Sequence, residues 1–405
     1  MSEWGETTLG ALVRGNQAWL QTGPFGTALK ANEYREEGTP LISVRELRDG
    51  RIVVDEKTPR LGPETLKRLP RYLLHEGDIV FGRKGAIERC GRITKSQEGF
   101  FLGSDGICLR LCDEIDSAFV SYQLRSKQIA TWLMANAGGT TMPSMNQSVL
   151  DRLPLRISSL STQRRIAAVL SALDDKIELN NRINANLEAQ AQALFRSWFV
   201  DFEPWGGTMP EGWKHGTLLD IADYCNGLAM QKFRPVQETG LPVLKIRELR
   251  QGFCDAECER CSSGIDSKFI VDDGDVVFSW SGSLLVDVWC GGKAGLNQHL
   301  FKVTSRDFPK WFYLMWTKFH LDDFATIAAN MATTMGHIKR GELERADVLL
   351  LDECAMERFS AVMEPLLDSQ IQRRIQNRVL AELRDTLLPK LMSGEIDVSR
   401  VEVPA

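Results

Sequence analysis

One stretch of this 405-residue chain is written twice. Pro40-Leu-Ile-Ser-Val-Arg-Glu-Leu-Arg-Asp-Gly50 returns as Pro242-Val-Leu-Lys-Ile-Arg-Glu-Leu-Arg-Gln-Gly252, with Arg45/Arg247, Glu46/Glu248, Leu47/Leu249 and Arg48/Arg250 in register. Gly77-Asp78-Ile79-Val80-Phe81 returns as Gly274-Asp275-Val276-Val277-Phe278, and Gly85 and Gly282 follow at the same distance. Thr140-Thr141-Met142 is echoed by Thr333-Thr334-Met335, and Leu150 and Arg152 by Leu343 and Arg345. Trp4 lies five residues before Leu9, as Trp213 does before Leu218. The order of echoes is the same in both halves, and the offset drifts only from 209 to 193. A unit of about 200 residues has therefore been duplicated, far longer than the roughly 20–50 residues of solenoid repeats. Two such copies predict a pseudo-twofold molecule with two similar surfaces.

Each copy closes on a helical pattern. From Ser161 to Val200 there is no Gly or Pro. Ser161 or Thr162 is placed to cap a helix, because a hydroxyl accepts the unpaired N–H groups of the first turn. Ile166, Leu170, Leu173, Ile177, Asn180, Asn184, Leu187, Ala191, Leu194 and Trp198 form a 4-3-4-3 ladder, which is a heptad seam with two asparagines that weaken it and set its register. In the second copy Phe359, Met363, Leu367, Ile371, Ile375, Val379, Leu383, Leu387 and Leu391 recur at every fourth position. That spacing drifts ~40° per step, so the apolar face wraps around the helix. Pro365 marks an early turn or a kink, and Pro389 and Gly394 mark the end. Short strands separated by Gly and Pro turns precede each helix, for example Leu41–Val44, Asp78–Phe81, Val243–Ile246 and Ala294–Val303. The expected fold is α+β, with two duplicated mixed α/β domains, each followed by a long helix. The two helices pack as an antiparallel coiled coil. The expected boundaries are 1–160, 161–203, 204–353 and 354–405.

Composition excludes disordered, collagenous and mucin-like classes, since 43% of residues are hydrophobic and 25% charged. No apolar run approaches the ~18 residues that span a bilayer. Residues 1–7 lack a basic stretch followed by an apolar core, and the nine cysteines are scattered, so a cytoplasmic protein with reduced thiols is expected. The net charge of −5 does not advertise a polyanion binder, but residues 45–95 hold 13 Lys/Arg against 8 Asp/Glu. Binding to nucleic acid would rest on local patches.

Ser161-Thr-Gln-Arg-Arg-Ile-Ala-Ala-Val-Leu-Ser-Ala-Leu-Asp-Asp-Lys-Ile-Glu-Leu-Asn-Asn-Arg-Ile-Asn184, running on to Leu194-Phe-Arg-Ser-Trp-Phe-Val-Asp-Phe202, closely resembles the central conserved region of the specificity subunits of Type I restriction-modification enzymes. Leu387-Leu-Pro-Lys-Leu-Met-Ser-Gly-Glu-Ile396 resembles the family's C-terminal conserved region, and Pro210-Glu-Gly-Trp213 with 218–222 resembles the start of its second target-recognition domain. The resemblance covers nearly the whole chain. It implies that each target-recognition domain reads one half of a split double-stranded DNA site and that the helices set the spacer. It also implies that the helices dock two modification subunits, which methylate adenine with S-adenosylmethionine, and that ATP-dependent restriction subunits join them. No catalytic residue, metal or cofactor is expected in this chain.

Phosphates favour Arg, Lys, Ser and Thr, and base edges favour Arg, Lys, Asn and Gln. The first copy offers Arg83, Lys84 and Arg89 after the Gly-Asp-Ile-Val strand, then Thr140, Thr141 and Asn146. The matching loops of the second offer Ser281 and Ser283, then Thr333, Thr334, His337 and Lys339. The repeated Arg45/Glu46/Arg48 group reads as structural, because recognition residues should differ between copies that read different sequences. Trp198, Phe199 and Phe202 form either an exposed patch for a modification subunit or the packed end of the helix pair. An alternative function rests on Cys254-x3-Cys258-x2-Cys261, the spacing of a radical S-adenosylmethionine iron–sulfur motif, with Cys225 or Cys290 completing a zinc set as a further variant. Arg260 stands where that motif usually carries an aromatic residue.

Overall fold

The computed structural model describes residues 4–48, 50–139, 143–235, 240–331 and 338–402. It comprises two units: residues 1–175 with 381–405, and residues 176–380.

The first unit is built on an antiparallel sheet ordered Ala18–Thr22, Gly106–Leu111, Ile79–Gly82, Cys90–Arg92. A second sheet is ordered Phe101–Leu102, Thr39–Ile42, Arg60–Leu61, Tyr34–Arg35, and its first pair is parallel. Gly5–Thr8 and Pro154–Ile157 pair antiparallel and tie the two ends of the domain together. The second unit repeats this plan. Its main sheet runs Asp223–Asn226, Leu300–Thr304, Val276–Ser279, Leu285–Val288. Lys214–Thr217 closes on Asp347–Leu350. The register repeats as well: Phe81 faces Ile107 in one sheet, and Phe278 faces Phe301 in the other.

Two strand expectations are corrected. Residues 294–303 form two strands, Ala294–Leu296 and Leu300–Thr304, in different sheets. Asn297 turns the chain between them, since its N–H donates to the Leu244 carbonyl and its carbonyl accepts from Leu300. Leu241–Leu244 is a strand, but Ile246 opens the helix Ile246–Gln251, because the Glu248 carboxylate accepts the Lys245 N–H at 3.2 Å and caps that helix. Glu46 does the same for the Ser43 N–H at 3.0 Å. Arg45 pairs with Asp55 at 2.7 Å, and Arg247 with Asp255 at 3.2 Å. The repeated Arg-Glu-Leu-Arg motif thus serves the fold in both copies.

The central helix is Leu160–Phe199 and the C-terminal helix is Glu353–Ser393. Ser159 caps the first, not Ser161 or Thr162: its Oγ accepts the Thr162 N–H at 3.2 Å. The C-terminal helix is continuous through Pro365 and Pro389. It stops at Gly394, whose φ of +78° suits glycine at a helix end. Within the second unit the two helices run antiparallel: Asn180 meets Gln376 and Asn377, while Asn184 meets the Gln370 carbonyl. Near its end the central helix buries Ala191, Phe195 and Phe199, not the expected Leu194 and Trp198. Its stripe turns there because it packs on the globular core of the unit as well as on a helix. The spacing-four ladder of the C-terminal helix drifts as expected. Phe359, Met363 and Leu367 are buried in the second unit, Val379 and Leu383 are exposed by 54% and 44%, and Leu391 is buried in the first unit.

Candidate nucleic-acid interface

At one end of each main sheet, loops converge on the same backbone scaffold. Gly23 N–H donates to Gly106 O, and Gly227 N–H to Leu300 O, both at 3.0 Å. Arg83 N–H donates to Asp105 O at 2.8 Å, and Trp280 N–H to His299 O at 3.4 Å. Met145 N–H donates to Arg83 O at 2.8 Å, and Ile338 N–H to Trp280 O at 3.1 Å. A Cβ on Gly23 would lie 1.8 Å from the Gly103 carbonyl oxygen, and one on Gly227 would lie 2.3 Å from that of Asn297, so only glycine lets these strands approach. These bonds match the two copies residue by residue.

The side chains on this common frame differ. In the first unit the Arg83 guanidinium lies 4.2 Å over the exposed Phe25 ring and reaches the Ser104 carbonyl at 3.4 Å. Lys84 is exposed beside it, and its backbone bridges Ser144. Gln147 Nε2 reaches Thr22 Oγ1 at 3.3 Å. In the second unit Trp280 replaces Arg83, and its indole N–H donates to Asn226 Oδ1 at 3.1 Å. Trp280 lies 6.1 Å from the His299 ring, which meets Ser281 Oγ at 3.1 Å through Nδ1. Gln298 reaches the other ring nitrogen at 3.3 Å. Phe25, Ser104, Asp105, Asn226, Trp280, Gln298 and His299 were missed in the sequence. The internal repeat held their signal, because each stands beside a backbone bond that recurs in the other copy.

The other sequence-selected residues fall elsewhere or take other roles. Ser281 is buried against His299, and Ser283 is exposed with its carbonyl accepting from Ser279 Oγ. Asn146 caps a short helix, its Oδ1 accepting the Val149 N–H at 3.0 Å, and Lys339 occupies the equivalent position. Arg89 lies across the strand pair from Gly82, its carbonyl accepting the Gly82 N–H at 3.0 Å. It lines a separate cleft of about 1690 Å³ in the first unit, together with Arg48, Arg125, Arg156 and Arg384. Thr140, Thr141, Thr333, Thr334 and His337 lie outside the described residues.

Phe199 does not belong to an open aromatic patch. It is 2% exposed, stacks on Trp213 at 5.7 Å and meets Phe359 edge-on at 5.1 Å. Trp198 packs on Phe359 at 4.7 Å, and Phe202 is half-buried with a φ of +51°. This group fills the core of the second unit because the helix end turns onto the globular domain. The cysteine alternative gains no support either. Cys258 Sγ donates to the Val243 carbonyl at 3.2 Å, and burial pushes the thiols of Cys254, Cys258 and Cys261 up. Among the described residues no group of three or more His, Cys, Asp or Glu is arranged to hold a metal.

Comparison with known proteins points to one family. Residues 25–189 match the model of the Type I restriction modification DNA specificity domain. By that match the chain is similar to the specificity subunits of Type I restriction-modification enzymes. Among its relatives, the Type I restriction enzyme MjaIX specificity subunit of Methanocaldococcus jannaschii is 26% identical over 92% of this chain and 90% of its own. The HindI specificity subunit of Haemophilus influenzae is 21% identical over 65% of this chain and 73% of its own. In fold, the chain resembles the crystal structure of the S subunit of a Type I restriction-modification system from M. genitalium. That likeness has a TM-score of 0.57 and 17% identity, and it covers 96% of each chain.

Proposed function

We infer that this chain reads a split double-stranded DNA site, one half with each of its two duplicated domains. The observation that carries this reading is the pair of loop scaffolds: one backbone frame, built twice, holding different side chains. A symmetric site would need identical readers, as in dimeric repressors, whereas two diverged copies in one chain suit two unlike half-sites. Arg83 and Lys84 in the first unit and Ser283 in the second supply groups suited to phosphates and base edges, while Ser281 holds the His299 ring.

The central and C-terminal helices, of 40 and 41 residues, set the spacer between half-sites and dock two modification subunits. Their lengths correspond to about 60 Å each at the rise of an α-helix. The modification subunits carry S-adenosylmethionine and flip the target adenine out of the duplex. ATP-dependent restriction subunits complete the enzyme, and this chain contributes recognition without catalysis. The assembly acts in the cytoplasm. No helix among the described residues is long and apolar enough to cross a membrane.

The test is to map N6-methyladenine in host DNA with and without this chain, its modification subunit being present throughout. Methylation at one split motif with a constant spacer, lost on deletion and restored by the gene, is the expected result. A methylation map unchanged by deletion would overturn the reading.

A further inference from the structure

The duplication lets the chain serve as its own alignment, and the alignment separates scaffold from reader. Positions that match in both copies are structural: Phe81 and Phe278 are buried in the sheets, Glu46 and Glu248 cap their helices, and Gly23 and Gly227 permit close strand approach. Four positions on the same frame change chemistry. Thr22 becomes Asn226, Arg83 becomes Trp280, Ser104 becomes Gln298, and Asp105 becomes His299, each pair placed by the recurring backbone bonds and strand registers. None of the four is fully buried in either copy. Trp280 also packs on the core, 5.7 Å from the Phe301 ring, whereas the other three exchanges replace one polar side chain by another.

We propose that Asn226, Trp280, Gln298 and His299 are the specificity-determining residues of the second unit, and that Thr22, Arg83, Ser104 and Asp105 occupy the same role in the first. This rests on the reading that the chain recognises DNA and says which edge of each domain does so. The chemistry suits the major groove. Asn and Gln pair with adenine through both its acceptor and its donor, Arg pairs with guanine, and Asp accepts from the amino group of cytosine. The groups are also preorganised. Ser281 orients the His299 ring at 3.1 Å, Asn226 holds the Trp280 indole at 3.1 Å, and the Phe25 ring supports Arg83 at 4.2 Å. Side chains ordered before binding lose less entropy on binding. The two sets share no residue type, which suits two half-sites of different sequence.

The test gives the second unit the first unit's residues. Gln298→Ser with His299→Asp is expressed with the modification subunit, and the methylated motif is mapped beside that of the wild-type complex. The expected result is a changed base preference in one half of the motif, with the other half and the spacer as in wild type. Full methylation of the unaltered motif would overturn the proposal while leaving the DNA-reading function intact. Absence of any split motif with the wild-type chain would instead overturn the reading beneath it. Should the double variant assemble no complex, Gln298→Ala, which loses only a half-buried side chain, answers the same question. Relaxed preference in that one half supports the proposal, and an unchanged motif overturns it.

Discussion

The side-chain amide of Asn180 donates a 2.8 Å hydrogen bond to Oε1 of Gln376, joining the central helix to the C-terminal helix inside the second unit. The same nitrogen lies 2.8 Å from Asn377 Oδ1, and Asn377 donates in turn to Asn181 at 2.7 Å. Asn180 is fully buried, yet its own Oδ1 has no partner. A buried amide with an unmet acceptor costs about 1–3 kcal/mol, and a polar residue in a helix seam is kept for register at that expense.

Asn180→Leu is therefore expected to hold or raise stability. The exposed Gln376 and half-exposed Asn377 turn to water when the amide is removed. Urea unfolding of the variant should show a midpoint equal to or above wild type. A clearly lower midpoint would contradict this account of the seam.

Asp174 is the opposite case. It accepts from Arg125 and Arg384 at 2.8 Å each and from the Tyr122 hydroxyl at 2.9 Å, all inside the first unit. Burial pushes its pKa up, but the guanidiniums of Arg125 and Arg384 outweigh burial and hold the carboxyl below its ordinary value. Asp174→Ala would leave two largely buried guanidiniums facing each other, a loss of roughly 3–5 kcal/mol. Calorimetry should show the unfolding midpoint falling steeply. A shift within error of wild type would contradict the assignment.

Much of this architecture was legible beforehand. The repeat gave the two domains, and the heptad ladder gave the helix pair with Asn180 in its seam. Phe195 and Phe199 escaped because their burial comes from the sheet domain packed on the helix end, which helical periodicity does not encode. The edge proposed to read DNA was only half legible. Arg83 and Ser281 lie on a recognisable loop, whereas Gln298 and His299 sit in a connection between two sheets that reads as one continuous strand until the backbone bond from Asn297 to Leu244 is seen. Asn146 illustrates the converse, a residue of suitable chemistry that is spent on capping a helix.

Arg378 grips Asp273 with two bonds of 2.7 Å, and Arg374 grips Asp287 at 2.9 and 2.8 Å, fastening the C-terminal helix to the sheets of the second unit. The Arg378 hydrogen bonds, against burial, hold the Asp273 carboxyl below its ordinary value of 3.8. A carboxyl lowered on folding contributes stability that is complete above its unfolded pKa and lost as pH falls through the folded one. Asp273→Asn should therefore destabilise by about 1–3 kcal/mol at neutral pH. The gap from wild type should narrow as the pH drops below about 4, where the unfolded chain gains the proton, and go on narrowing until the pH has passed the lower pKa of the folded carboxyl. Denaturant unfolding at several pH values measures this, and a gap that does not change with pH would contradict it.

The thiols of Cys254, Cys258 and Cys261 are raised by burial, and that of Cys258 is engaged with a backbone carbonyl. Treatment with a strong chelator should leave the unfolding midpoint of the purified complex unmoved, and elemental analysis of this chain should find neither iron nor zinc in stoichiometric amount. A midpoint lowered by chelation would revive a structural metal at these cysteines.

The central claim is that two different readers in one chain recognise two halves of one site. It is tested most directly by titrating the assembled complex with modification subunits against four duplexes: the intact motif, one with each half scrambled in turn, and one with the spacer lengthened by a base pair. The account predicts tight binding to the first alone, with each scrambled half and the altered spacer weakening it by at least tenfold at the same salt concentration, an energy of about 1.4 kcal/mol. Equal affinity for all four would contradict it.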